Sequence, residues 1–283
     1  PIGVTLPEGA GGAPGGQAMW LQTSPEFAMK RLMAAGGEAI YQVTHAFRAD
    51  ERGQLHNPEF TIAEWYRRGD DMTAGMQLLS DLCEAVLQRG PAERVTYAQA
   101  FTRGLGIDPH QATVEELAAI AKREGVPVPD NFLSDVETSS VETPARDAWL
   151  DVLLSECIAP QLGRTAPAIL HDYPASQAML AQVRGSDPAV AERFELFVDG
   201  IELANGYHEL LDAEELLRRN REANRLRQAD GKQPLNEETR MLTAMQSGLP
   251  ACSGCALGVD RLVMIADGAS SIDKVLPLPI GRA

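Results

Sequence analysis

The stretch Phe47-Arg48-Ala49-Asp50-Glu51-Arg52-Gly53-Gln54-Leu55-His56-Asn57-Pro58-Glu59-Phe60 places six ionisable residues and one Asn between two apolar segments. Upstream, Ile40 to Phe47 is rich in strand formers and partly alternates. Downstream, Phe60 to Tyr66 reads as a second strand. Strand, long polar loop, strand is most simply an antiparallel pair. Arg48 directly follows an apolar strand, where its fork of donors suits a phosphate. Glu64 lies among Ile62, Ala63 and Trp65, a costly place for a carboxylate unless a cation meets it. By composition alone, a solvated hairpin tip and a structural ion pair stand beside the functional reading.

Working outward, Gly3 to Gly16 is rich in Gly and Pro and reads as a loop. Ser24-Pro25-Glu26 is a helix start, with the helix stopping at Gly36-Gly37. Helical periods cover Thr73 to Gln88, Val114 to Lys122, Ala145 to Ala159, Asp212 to Arg227 and Asn236 to Ser247. Asp130 to Glu142 is an acidic, exposed loop. Ala168 to Leu170, Phe194 to Gly200 and Ile201 to Tyr207 read as strands, and Gly254 to Gly268 as small residues followed by a helix. Antiparallel strands with helices inserted between them make an α+β domain.

The 283 residues are 44% hydrophobic and 23% charged, which excludes wholesale disorder and coiled coil. A net charge of −15 makes non-specific nucleic-acid binding unfavourable. No apolar run approaches a membrane span of ~20 residues. The chain starts at Pro1, so its beginning reads as a cut end. Cys83, Cys157, Cys252 and Cys255 are too few for a disulfide framework, and the lone Cys252-x-x-Cys255 lacks partners for zinc. Packing is the first reading of all four, in a reducing, cytoplasmic compartment.

Two further segments carry chemistry. Glu195 and Glu202 lie seven apart across a Gly turn, so antiparallel pairing can bring both to one face. Paired carboxylates near a phosphate suit Mg²⁺. Asn205, Tyr207 and Glu209 alternate along one strand face. An exposed polar face is the alternative. Gly254-Cys-Ala-Leu-Gly258-Val-Asp260-Arg261 joins a Gly-rich turn to a helix start, where Arg261 makes sense against an anion.

Together, residues 47–66 resemble motif 2, and residues 254–261 motif 3, of class II aminoacyl-tRNA synthetases of the lysyl type; residues 201–210 resemble the strand between them. Within that superfamily the chain is similar to the truncated lysyl synthetase paralogues that modify translation elongation factor P, the elongation factor P–(R)-β-lysine ligases. That similarity lies in Leu21-Gln-Thr-Ser-Pro-Glu-Phe, Glu64-Trp-Tyr-Arg, Tyr173-Pro-Ala-Ser-Gln-Ala and Cys252-Ser-Gly-Cys-Ala256-Leu-Gly. The resemblance implies one catalytic domain over residues 1–283, an antiparallel sheet flanked by helices, without motif 1 or an anticodon-binding barrel. It implies ATP and Mg²⁺ as cofactors and an aminoacyl-adenylate intermediate. Arg48 and Arg261 become the catalytic arginines. Asp50, His56, Asn57, Phe60, Glu202 and Gly258 join them around ATP. Ser24, Glu26, Glu64, Tyr66, Asn205, Tyr207, Glu209 and Ala256 surround the amino acid, and Glu195 with Glu202 carries the metal. Lysyl synthetases usually have Gly where this chain has Ala256, and Glu where it has Asp50. The implied partners are (R)-β-lysine or lysine, elongation factor P and a second copy in a homodimer, with neither tRNA nor membrane. A tRNA-charging lysyl synthetase core is the competing reading, and a non-catalytic regulatory paralogue a third.

Overall fold

A computed structural model describes residues 1–6, 17–127, 142–229 and 231–282. Its backbone is a seven-stranded path, β3-β4-β10-β9-β8-β6-β5, with β7 (Val183–Arg184) attached beside β8. The two segments flanking the polar stretch are β3 (Ala39–Phe47) and β4 (Glu59–Arg68), antiparallel from Ala39↔Arg67 to Phe47↔Glu59. β8 (Val190–Val198) and β9 (Ile201–His208) form a hairpin whose two turn residues, Asp199 and Gly200, both have positive φ. That is the twist-matched geometry of a two-residue hairpin, and Gly200 adopts it without strain. The α+β expectation is met, with one refinement. β5 (Glu93–Thr96) runs parallel to β6 (Ala168–Pro174), so the sheet is antiparallel everywhere except at that edge.

The central strand is β10 (Cys252–Gly258), which pairs antiparallel with β4 on one side and β9 on the other. Its small residues carry no strand period, and reading it as a turn is corrected here. Burial between two neighbours explains how Cys-Ser-Gly-Cys-Ala-Leu-Gly holds an extended backbone that its propensities do not favour.

Three packed clusters hold the sheet. On one face, α2 (Met72–Leu87) and α8 (Val259–Ala266) bury Met76, Leu79, Cys83, Leu262 and Ile265 against Phe194, Leu196, Cys255 and Leu257. At the parallel edge, α3 (Tyr97–Leu105), α4 (Val114–Arg123) and α5 (Glu142–Leu153) enclose Leu170, Tyr173 and Phe197. At the other end α1 (Glu26–Ala34), α6 (Ala213–Ala229) and α7 (Arg240–Gln246) gather Met29, Met33, Leu216, Met241 and Met245 around Tyr66 and Cys252.

Other boundaries differ from the sequence reading. Gly3–Leu6 is β1, paired with β2 (Gln17–Trp20), where a loop was expected. Residues 7–16 and the acidic segment 128–141 lie outside the described residues. The helix expected to run to Ala159 ends at Leu153 and widens into a π-helical turn, Leu154–Ile158. Pro160 follows, without an N–H to continue the ladder.

Candidate active site

One cavity of about 220 Å³ is lined by residues from all three sequence segments. Arg48 and Arg261 both open onto it. Arg261 lies in the first turn of α8 and is held by three contacts. Its Nε donates to Leu55 O (3.1 Å), its Nη1 to Glu202 O (2.9 Å) and its Nη2 meets His56 Nε2 at 2.6 Å. His56 must accept there, so it is neutral. Burial first, then the charge of Arg261, lowers its pKa from the usual value. The start of α8 is fixed to β4 by Asp260, whose Oδ2 accepts from Thr61 N–H at 2.6 Å. Arg48 donates from Nη1 to Glu51 (3.1 Å), and its guanidinium lies 5.0 Å from the Phe60 ring centroid. Two guanidinium groups, a helix start and an aromatic face give this end the charge and shape that a nucleotide's phosphates and base require.

The structure redistributes some of the residues expected there. Asp50 is exposed and does not line the cavity; Glu51 does, paired to Arg48. Asn57 lines the cavity as expected, and its buried amide also ties the loop together, donating to Glu59 O (2.6 Å) and accepting from Ile280 N–H (2.9 Å). Phe60, His56 and Gly258 line the cavity as expected.

The amino-acid end is written in the sheet register. Ala256 lies opposite Glu64 on β4 and Asn205 on β9, and Asn205 lies opposite Glu195 on β8. One step along, Gly254 lies opposite Tyr66 and Tyr207, and Tyr207 opposite Arg193. Two parallel rows of polar residues thus cross the sheet with a trough over Gly254 and Ala256, where side chains are smallest. Glu64 is 1% exposed and accepts from Ser24 Oγ (2.8 Å) and Tyr66 OH (2.6 Å). Burial outweighs both bonds and raises its carboxyl to about 6. Glu209 is equally buried, and burial raises it to about 8 although Lys30 pulls the other way. Glu209 Oε1 and Asn205 Oδ1 are buried acceptors with no donor among the described residues. Such acceptors are expensive unless a ligand supplies the protons. Ser24, Glu26, Glu64, Tyr66, Asn205, Tyr207, Glu209 and Ala256 all line this one cavity.

One buried and one half-buried cation escaped sequence reasoning. Lys30 sits between Glu26 and Glu209, and its only signal was the i, i+4 spacing from Glu26. Arg193 lies over the Tyr173 ring, 4.4 Å from its centroid, and bonds Glu195.

That bond bears on the expected metal pair. Glu195 gives one oxygen to Arg193 Nη2 and the other to Tyr173 OH, both at 2.5 Å, and does not line the cavity. Glu202 does line it. A register shift opposite Leu196/Phe197 pairs Phe197 with Glu202 while Glu195 pairs with Asn205. Strict alternation would have sent Glu202 to the opposite face from Asn205; the bulge returns it to the same one. Glu202 is reachable by solvent inside the cavity yet ringed by protein. That enclosure, with Glu195 next to it, raises its carboxyl to about 7. Mg²⁺ needs one or two carboxylates beside phosphate oxygens. Glu202 fits that demand, whereas Glu195 would first have to give up Arg193 or Tyr173. No cluster of three ligating side chains occurs among the described residues.

Cys252 and Cys255 fall on opposite faces of β10, one against α1 and α7, the other against α2. They form no redox pair, and all four cysteines are free. In α6, Glu215 pairs with Arg218 and Arg219, and Glu222 with Arg225, as on a solvated helix face. No helix among the described residues is long and apolar enough to cross a membrane.

Residues 12–282 match the family model of class II tRNA synthetases (D, K and N). A protein of Vibrio vulnificus is 45% identical over 264 residues, 93% of this chain and 79% of its own length. Like the next two, it is named elongation factor P–(R)-β-lysine ligase. Its counterpart in Vibrio cholerae is 46% identical over 95% of this chain and 80% of its own length. That of Yersinia enterocolitica is 44% identical over 96% and 81%. With the sheet, the two arginines and the carboxylate-lined trough in one cavity, the chain belongs to the class II tRNA synthetase family, in the branch of the elongation factor P–(R)-β-lysine ligases.

Proposed function

We propose that this enzyme uses ATP to activate (R)-β-lysine as an aminoacyl-adenylate and transfers the β-lysyl group to a lysine side chain of elongation factor P. The observation that carries the reading is a single cavity with guanidinium groups at one end and buried carboxylates at the other. An amino acid with two ammonium groups and one carboxylate fits only one way round. Its ammonium groups meet Glu26, Glu64 and Glu209, and its carboxylate points at Arg48. A carboxylate oxygen then attacks the α-phosphorus and pyrophosphate leaves. Arg48 stabilises charge on the α-phosphate, and Arg261, anchored by two backbone carbonyls, holds the far end of a bent triphosphate. Phe60 offers a face for the base. Glu202 would hold Mg²⁺ beside the phosphates, and the metal would supply charge neutralisation there. Positioning and electrostatics account for most of what such a transfer needs. In the second step the acceptor lysine's neutral ε-amine attacks the adenylate carbonyl, AMP leaves, and an amide forms with loss of a proton.

We read the chain as one catalytic domain working in a reducing cytoplasm, which its free cysteines support. A homodimer belongs to the same reading. It is supported by the outer strand β3, where Tyr41 is 82% and Val43 58% exposed. The test is incubation with ATP, (R)-β-lysine and elongation factor P, followed by intact mass. A gain of one β-lysyl group on the factor is the expected result. Charged tRNA with an unmodified factor would overturn it.

A further inference from the structure

The amino-acid pocket holds a cation of its own. Lys30, on the inner face of α1, is 2% exposed, and its Nζ is 2.6 Å from both Glu26 Oε1 and Glu209 Oε2. The Tyr66 ring centroid lies 6.0 Å from the same nitrogen. Glu64, the third carboxylate of the pocket, is bonded by hydroxyl groups alone. Here one ammonium faces three carboxylates, and Glu209 Oε1 has no hydrogen-bond partner.

We propose that Lys30 is a specificity-determining counter-cation: it cancels one of three pocket carboxylates, so that two negative charges remain for the two ammonium groups of a diamino acid. This deepens the functional reading above and rests on it. A monoamino acid would leave one buried carboxylate unmatched, an arrangement strongly disfavoured in a low-dielectric pocket. Without Lys30, three would compete for two.

The groups facing Lys30 are Glu26 from its own helix, Glu64 and Tyr66 from β4, Glu209 at the end of β9 and Cys252 from β10. Helix α7, packed on α1, brings Met241, Leu242 and Met245 to this cluster. Burial alone would drive the Lys30 ammonium to neutrality, but Glu209 and Glu26 together hold it well above the ordinary lysine value. Lys30 in turn opposes the burial that protonates Glu209. Removing it therefore lets Glu209 take up a proton at higher pH, which leaves Glu26 and Glu64 as the two negative charges.

The experiment is ATP–pyrophosphate exchange driven by (R)-β-lysine between about pH 6 and about pH 9, on the whole chain. Glu209→Gln with Lys30 in place leaves one net negative charge, and its kcat/KM for (R)-β-lysine is expected to fall by at least about tenfold at pH 7. The KM for ATP should stay within about twofold. Lys30→Met with Glu209→Gln restores two negative charges through Glu26 and Glu64. Its kcat/KM should return to within about threefold of the wild type, and Lys30→Gln with Glu209→Gln decides the matter if that pair fails to fold by circular dichroism. A folded double variant no better than Glu209→Gln overturns the role of Lys30 while the pocket reading stands. A wild type that exchanges with no diamino acid overturns the pocket reading itself, and the proposal with it.

Discussion

Adding one methyl group to the trough separates the amino-acid end of the cavity from the nucleotide end. Gly254 lies between Tyr66 and Tyr207 in the second cross-sheet row. A Cβ there would overlap Glu209 Oε1 and two atoms of the Tyr66 ring. These neighbours are 1% and 3% exposed, so neither can swing into solvent to make room. Overpacking of this kind costs about 1–3 kcal/mol. The displaced groups are those proposed to receive the substrate's ammonium groups. If the strain falls on the bound complex, KM for the amino acid rises roughly 5- to 150-fold, at ~1.4 kcal/mol per factor of ten. ATP binds at the other end, so its KM should move by less than about twofold. Gly206 provides the control, because a Cβ there overlaps the Phe194 ring in the core on the opposite face. Gly206→Ala should therefore lower thermal stability by a comparable ~1–3 kcal/mol and leave the amino-acid KM unchanged. Exchange kinetics with each substrate varied in turn, beside a denaturant melt, read both effects. If Gly254→Ala raised both KM values equally, or neither, the trough would not be where the amino acid sits.

Arg48→Ala is expected to abolish ATP–pyrophosphate exchange, and Arg261→Ala to slow it by at least about a hundredfold, since each removes charge aimed at the phosphates. Near-normal rates would contradict the nucleotide assignment. Ala256→Gly should improve the use of α-lysine relative to (R)-β-lysine, because Ala256 carries the only side chain between Glu64 and Asn205 in its row; an unchanged preference in exchange assays would remove that argument. The carboxyl of Glu209 is raised from 4.5 to about 8 in the fold, so folding binds a proton there and the ligand-free protein loses stability as pH rises through that window. In thermal melts from about pH 5 to about pH 8, Glu209→Gln should flatten that decline, and an undiminished slope would place the proton elsewhere.

What was legible in the sequence had a strong local signal. The β3–β4 pair showed because β-branched and aromatic residues flank a polar loop. The β8–β9 hairpin showed because Asp199-Gly200 punctuates two apolar runs. Most residues of the cavity's carboxylate end were legible because period two along β4 and β9 puts Glu64 with Tyr66, and Asn205 with Tyr207. Glu202 reached that same face through a register shift, which leaves no mark on the residues themselves. Asn57 lines the cavity as its place in the motif implied, although its bond from Ile280 left no mark on the sequence, and Asp50 was misplaced by one residue, Glu51 taking the cavity position beside Arg48. Lys30 was missed because Glu209, which with Glu26 keeps it charged in a buried place, is distant in sequence, and Arg193 because its pairing with Glu195, two residues along the same strand, rests on a side-chain geometry that period two alone does not give.

The central strand was the least legible element, and the cause is also the cause of the site. A strand is recognised by large side chains that alternate, and β10 has Gly254 and Ala256 on its cavity face. Large residues there would have announced a strand and filled the trough between Glu64 and Asn205. Its pairing on both sides supplies the backbone hydrogen bonds that fix its conformation, so extended geometry survives without side-chain preference. The sheet can then hold carboxylates on β4 and after β9 on either side of a gap, each too costly to bury without a cation between them. Lys30 fills one part of that demand from α1. The remainder is the room and the charge left for the substrate.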